Sequence, residues 1–143
     1  MKLNKLLTVV LAVLFVVTAS VPALADRSTS FSHNSVYNEL QVHRQGSMSG
    51  PTVTASISID FIDNVPHQPE SDYRLGIRIE RKNTLGTVAW DAENKVYSMY
   101  CYLSADGNSK QALPNATCKF YINPNMNMAL STQNPQYTDN MSM

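Results

Sequence analysis

The side chains able to do chemistry fall into three groups. Asp60, Asp63, His67, Glu70 and Asp72 crowd one polar stretch. Carboxylates this close in sequence can ligate calcium, a hard ion that takes several oxygens. Their spacing matches no EF-hand loop, and Pro66 and Pro69 stiffen the middle. A solvated surface loop is the simpler reading, so no metal is expected; calcium on Asp60, Asp63, Glu70 and Asp72 is the alternative. A histidine–carboxylate pair for proton transfer would need a nucleophile or a second partner, and none stands nearby. His33, His43 and His67 form no HxH or HxxxH pair, which sets them apart from the usual zinc spacings.

The second group is Cys101 and Cys118, the chain's two cysteines. They have no CxxC spacing and no neighbouring histidine, which argues against a metal site. A disulfide closing about 17 residues would contribute roughly 3 kcal/mol in the chain-entropy model. They sit in two apolar runs, Val96–Leu103 and Ala116–Ile122, separated by turn residues including Asp106-Gly107-Asn108. Antiparallel pairing with Cys101 opposite Cys118 puts Leu103 beside Ala116 and Met99 beside Phe120. The spacing therefore predicts a disulfide-stapled hairpin with one apolar face.

That register fixes the third group. Tyr100, Tyr102 and Tyr121, flanked by Lys119, would stand together on the hairpin's other face. Exposed rings on a flat sheet suit a sugar or peptide, because a ring stacks while its hydroxyl hydrogen-bonds. Ordinary cross-strand packing is the competing reading. Trp90 shares parity with the apolar face and is read as core. No Gly-rich phosphate loop, GxSxG elbow or Ser/His/Asp order is present.

The elements that must position these residues alternate with period two. Thr52–Ile62 places Val53, Ala55, Ile57, Ile59 and Phe61 against Thr54, Ser56, Ser58 and Asp60. Tyr73–Lys82 places Leu75, Ile77 and Ile79 inward with Arg74, Arg78 and Glu80 outward. Shorter strands are expected over Val36–Arg44, Asn83–Trp90 and Met126–Leu130; Thr52–Ile62 is expected to pair with Tyr73–Lys82, setting Ile59 beside Ile77, and the strands from Tyr73 to Ile122 to pair consecutively as a meander. The fold class is all-β: a small antiparallel β-sandwich or barrel-like single domain.

A basic start, an apolar run over Leu6–Val17 and Ala23-Leu24-Ala25 before Asp26 read as a cleaved signal peptide. The expected division is residues 1–25 signal peptide, 26–35 flexible N-terminal arm, 36–130 sandwich domain and 131–143 polar tail. Export makes the protein secreted and extracellular, of bacterial type, and permits a disulfide. Without Lys2 and Lys5, nine basic residues face eleven acidic ones. That balance argues against nucleic acid and against anionic membrane surfaces.

No cofactor is implied. The function expected is non-catalytic binding, to an extracellular glycan, a protein or other copies of the chain. A membrane-active, bacteriocin-like toxin is the second reading, with Thr52–Ile62 as its amphipathic strand. A small secreted hydrolase ranks last.

Overall fold

The computed structural model describes residues 28–106 and 113–143, so the expected signal peptide at 1–25 lies outside the described residues. The strands, in chain order, are β1 Ser28–Tyr37, β2 Leu40–Ser49, β3 Thr52–Phe61, β4 Leu75–Lys82, β5 Val88–Val96, β6 Tyr100–Asp106, β7 Asn115–Ile122 and β8 Tyr137–Ser142. They form two four-stranded sheets, β1-β2-β3-β6 and β5-β4-β7-β8, in which every pairing is antiparallel. No α-helix occurs among the described residues. The chain is an all-β sandwich.

Alternation explains the two layers. Val53, Ala55, Ile57 and Ile59 of β3 and Leu75, Ile77 and Ile79 of β4 are almost fully buried, while Thr54, Ser56 and Ser58 face outward. Each such isoleucine contributes roughly 1.5–3 kcal/mol by leaving water. One apolar cluster joins both sheets, from Leu40, Val42 and Met48 through Ala116, Phe120 and Ile122.

Several boundaries differ from expectation, among them the strand expected over Asn83–Trp90, which runs Val88–Val96 instead. The arm expected at 26–35 is strand from Ser28 onward, held by Phe31. A Cβ on Gly46, its partner in β2, would come 2.3 Å from the Phe31 ring, so the ring occupies the space that only glycine leaves. The strand expected over Val36–Arg44 is broken by a two-residue turn at Asn38-Glu39. Asn38 adopts φ +52°, a conformation that its short polar side chain tolerates. The polar tail expected at 131–143 contains β8, while Met126–Leu130 leads into a single 3-10 turn at Leu130–Thr132.

The larger correction concerns pairing. The segments carrying Cys101 and Cys118 do not form a hairpin. β6 pairs with β3, setting Cys101 opposite Ile57, and β7 pairs with β4 and β8, setting Cys118 between Ile79 and Asp139. Likewise β3 and β4 lie in opposite sheets, and β5 pairs with β4 instead of folding back on β6. Both cysteines point into the core from different sheets and are unpaired thiols. Cys101 Sγ lies 3.9 Å from the Asn94 carbonyl of β5, and β5 is separated from β7 by β4.

Burial pushes the Cys101 thiol up to about 11. Burial, with the nearby Asp139 charge, pushes Cys118 up to about 12. An unfolded thiol ionises near 9.0, so the stability conferred by the neutral thiols is complete below that pH and is lost as pH rises through 11 to 12. Two outcomes are expected at neutral pH: thiol reagents modify neither cysteine until the protein unfolds, and reductant leaves the melting temperature unchanged. A drop of several degrees on adding reductant would restore the disulfide.

Candidate binding face

The outer face of the β1-β2-β3-β6 sheet is built from cross-strand rows. One row runs Ser32, Gln45, Ser56, Tyr102; the next runs Ser30, Ser47, Thr54, Ser104; a third runs Asn34, His43, Ser58, Tyr100. The first two rows therefore carry hydroxyl and amide groups in place of charges, and the third carries the His43 imidazole. Charged side chains stand toward its ends, with Asp60 in a row beside Gln41 and Asp106 beside Thr52.

Tyr100 and Tyr102 bound this surface along β6. They are 54% and 48% exposed, large fractions for rings on a sheet. Two residues of strand separate them, roughly 6–7 Å. The strand beneath them pairs with β3 on one side and is tied by side chains along its other edge. Asn94 Nδ2 donates to the Tyr102 carbonyl at 2.8 Å, and the Tyr100 amide donates to Ser98 Oγ at 3.1 Å. Cys101 and Ala105 anchor the same strand in the core. A shallow groove of about 450 Å³ runs from Ser30 and Ser32 on β1 across Gln45, Ser47, Thr54 and Ser56 to the two tyrosines. Ser47 and Thr54 hydroxyls are hydrogen-bonded to each other at 2.7 Å, so part of the groove floor is pre-ordered.

Tyr121 and Lys119 do not join this face. Both lie on β7, in the other sheet. Tyr121 is 2% exposed, and burial, outweighing Arg78, raises its hydroxyl above the ordinary range. Its cover is the connector between β7 and β8, whose Leu130 packs on Gly76 beside Tyr121. That connector is tied to the sheet: Glu93 accepts the Leu130 amide at 2.9 Å, and Lys95 Nζ donates to the Met128 carbonyl at 2.7 Å. Lys119 donates to Glu80 at 2.7 Å. Burial alone would push the Glu80 carboxyl up; the Lys119 hydrogen bond and the charges of Lys119, Arg78 and Lys82 overcome it and hold Glu80 below its usual value.

The acidic residues do not converge either. Asp60 stands 3.7 Å from His43 at the end of β3, Glu70 and Asp72 share an exposed 3-10 turn, and His67 stacks on Phe61 with ring centroids 3.5 Å apart. Among the described residues no three His, Cys, Asp or Glu side chains could hold a metal ion together. His33 has left the histidine group for an ion-pair cluster. Asp139 of β8 accepts from Arg44 Nε at 2.9 Å and lies 2.8 Å from His33 Nδ1, joining the sheets where β1 passes β8. The Arg44 guanidinium also sits 3.9 Å over the Tyr137 ring and donates to Ser35.

The tyrosine pair was accessible to sequence reasoning. The β1 hydroxyls were missed, although Ser28, Ser30 and Ser32 alternating around Phe31 is itself a strand signature. No family model, curated protein or solved structure matches this chain.

Proposed function

We propose that the protein is a non-catalytic binding module, exported from the cell, that holds a neutral glycan on the outer face of the β1-β2-β3-β6 sheet. One observation carries this reading: Tyr100 and Tyr102 stand exposed in line beside a groove lined by serine and threonine hydroxyls, the Gln45 amide and the apolar Phe31 and Ala55, with no charged side chain. A neutral sugar offers apolar ring faces for stacking and hydroxyls for hydrogen bonding, and this surface supplies both complements. The groove side chains include no carboxylate, histidine or cysteine. Glycoside hydrolysis by the usual route needs two carboxylates flanking the bond, so this surface favours holding a sugar over cleaving it.

The membrane-active reading gains no support from β3. That strand is hydrogen-bonded on both sides, to β2 and β6, and its apolar residues form the centre of the core. Releasing it would dismantle the sheet.

An oligosaccharide array carrying neutral, acidic and basic glycans tests the reading. Binding to neutral members is expected, changing little between about 0.05 and 0.5 M salt because no charge lines the middle of the groove. Capture of acidic or basic members alone, lost as salt rises, would contradict it.

A further inference from the structure

The four edge strands of the sandwich are not equivalent. β5 has a register irregularity against β4 and carries Asp91, Glu93 and Lys95. β8 is six residues long and carries Asp139. β6 is seven residues long and ends on Asp106. Charge, shortness and irregularity are the devices that keep an edge from pairing with another strand. β1 has none of them. It runs ten residues with unbroken register against β2, and contains no proline, lysine, arginine, aspartate or glutamate. Among the described residues no strand pairs with its other side. Its outward side chains, Ser28, Ser30, Ser32, Asn34 and Val36, are all exposed.

We propose that β1 pairs with β1 of a second copy, antiparallel about a two-fold axis, giving a dimer with a continuous eight-stranded sheet. The occupant follows from the edge itself. An added strand must bring a free edge of its own, and a second copy brings one of the same length and uncharged character. Antiparallel pairs share a face, so a two-fold axis must pass through a residue position. Centred on Ser32, the pairing sets Ser30 beside the partner's Asn34, and Phe31 beside the partner's His33. This centring brings hydroxyls against amides and no like charges together. It also joins the two grooves, since Ser30 and Ser32 form the β1 end of each, leaving a tyrosine pair at each outer end. The pairing does not depend on what the groove binds.

Sedimentation equilibrium of the purified protein from about 1 to 300 μM tests this. A monomer–dimer equilibrium with a dissociation constant in the micromolar range is expected, as for a small strand-addition interface. Thr29→Pro and Ser30→Pro form a matched pair. Consecutive residues aim their N–H groups to opposite sides of a strand, so one proline breaks the ladder to β2 and the other removes only an outward donor. The variant that keeps the wild-type circular dichroism spectrum should dimerise at least tenfold more weakly. Ser32→Lys, which sets like charges across the axis, should do the same without touching the β2 ladder. A wild-type protein that stays monomeric throughout the range, or a dimer that persists unchanged in both Ser32→Lys and the folded proline variant, overturns the proposal.

Discussion

Arg44→Ala is expected to cost about 3 kcal/mol and to lower the melting temperature by roughly 10 °C or more. Arg44 is 6% exposed and Asp139 9%, so truncating the arginine strands a carboxylate in a nearly dry space between the sheets. His33 remains within 2.8 Å of Asp139, which holds the loss toward the lower end of the range for breaking a buried pair. The truncation also removes the guanidinium from the Tyr137 ring and from Ser35. A double replacement separates these effects. Arg44→Met/Asp139→Leu removes both charges and keeps apolar volume, so it should recover most of the loss. Urea unfolding followed by the fluorescence of Trp90, the chain's one tryptophan, measures both variants. If the double variant is no more stable than Arg44→Ala, charge burial is not what makes this cluster matter.

Leu130→Ala is expected to cost 2–5 kcal/mol, about the range for a fully buried leucine. Leu130 has no exposed surface. Its two methyl carbons would lie 3.1 Å from a Cβ at Gly76, so the residue acts as a plug over a glycine-floored hollow in the outer face of the second sheet. Losing it leaves a hole flanked by Tyr121 and loosens the connector that Lys95 and Glu93 hold. The Tyr121 hydroxyl, raised above the ordinary range chiefly by burial, should then ionise at lower pH, nearer a free tyrosine. A spectrophotometric tyrosine titration of the folded variant reads that shift. A variant with wild-type stability and an unchanged titration would mean that the connector does not rest on Leu130.

Side-chain faces were legible in the sequence, and strand partners were not. Alternation in Thr52–Ile62 and Tyr73–Lys82 reports which residues turn inward, because a period of two is a property of one strand. It says nothing about which strand lies alongside. Cys101 and Cys118 show how this misleads. Both are inward-facing residues, so any antiparallel register that aligned them also aligned apolar with apolar, and the agreement carried no independent information. In the folded chain β3 and β4, and again β6 and β7, are consecutive strands that cross between sheets, against the tendency of neighbours to pair.

The same split governs the candidate site. Tyr100 and Tyr102 are exposed because they alternate with the buried Cys101, a single-strand property. Tyr121 and Lys119 were grouped with them only through the misassigned pairing. The hydroxyl floor from β1 and β2 escaped because serine-rich segments resemble loops in composition. Phe31 packed over Gly46, a long-range contact, makes this one a strand. Asn38-Glu39 is likewise a weak turn signal beside Asn-Gly or Asp-Gly, so β1 and β2 were merged.

The most direct measurement is calorimetric titration of the neutral oligosaccharide that binds best on the array into wild-type protein and into a Tyr100→Ala/Tyr102→Ala variant. The variant should keep the wild-type unfolding curve, since both rings are about half exposed. Its affinity should fall about 30- to 150-fold, the loss of two stacking rings at roughly 1–1.5 kcal/mol each. Undiminished affinity in that folded variant would contradict the assignment of the tyrosine-bounded groove as the binding face.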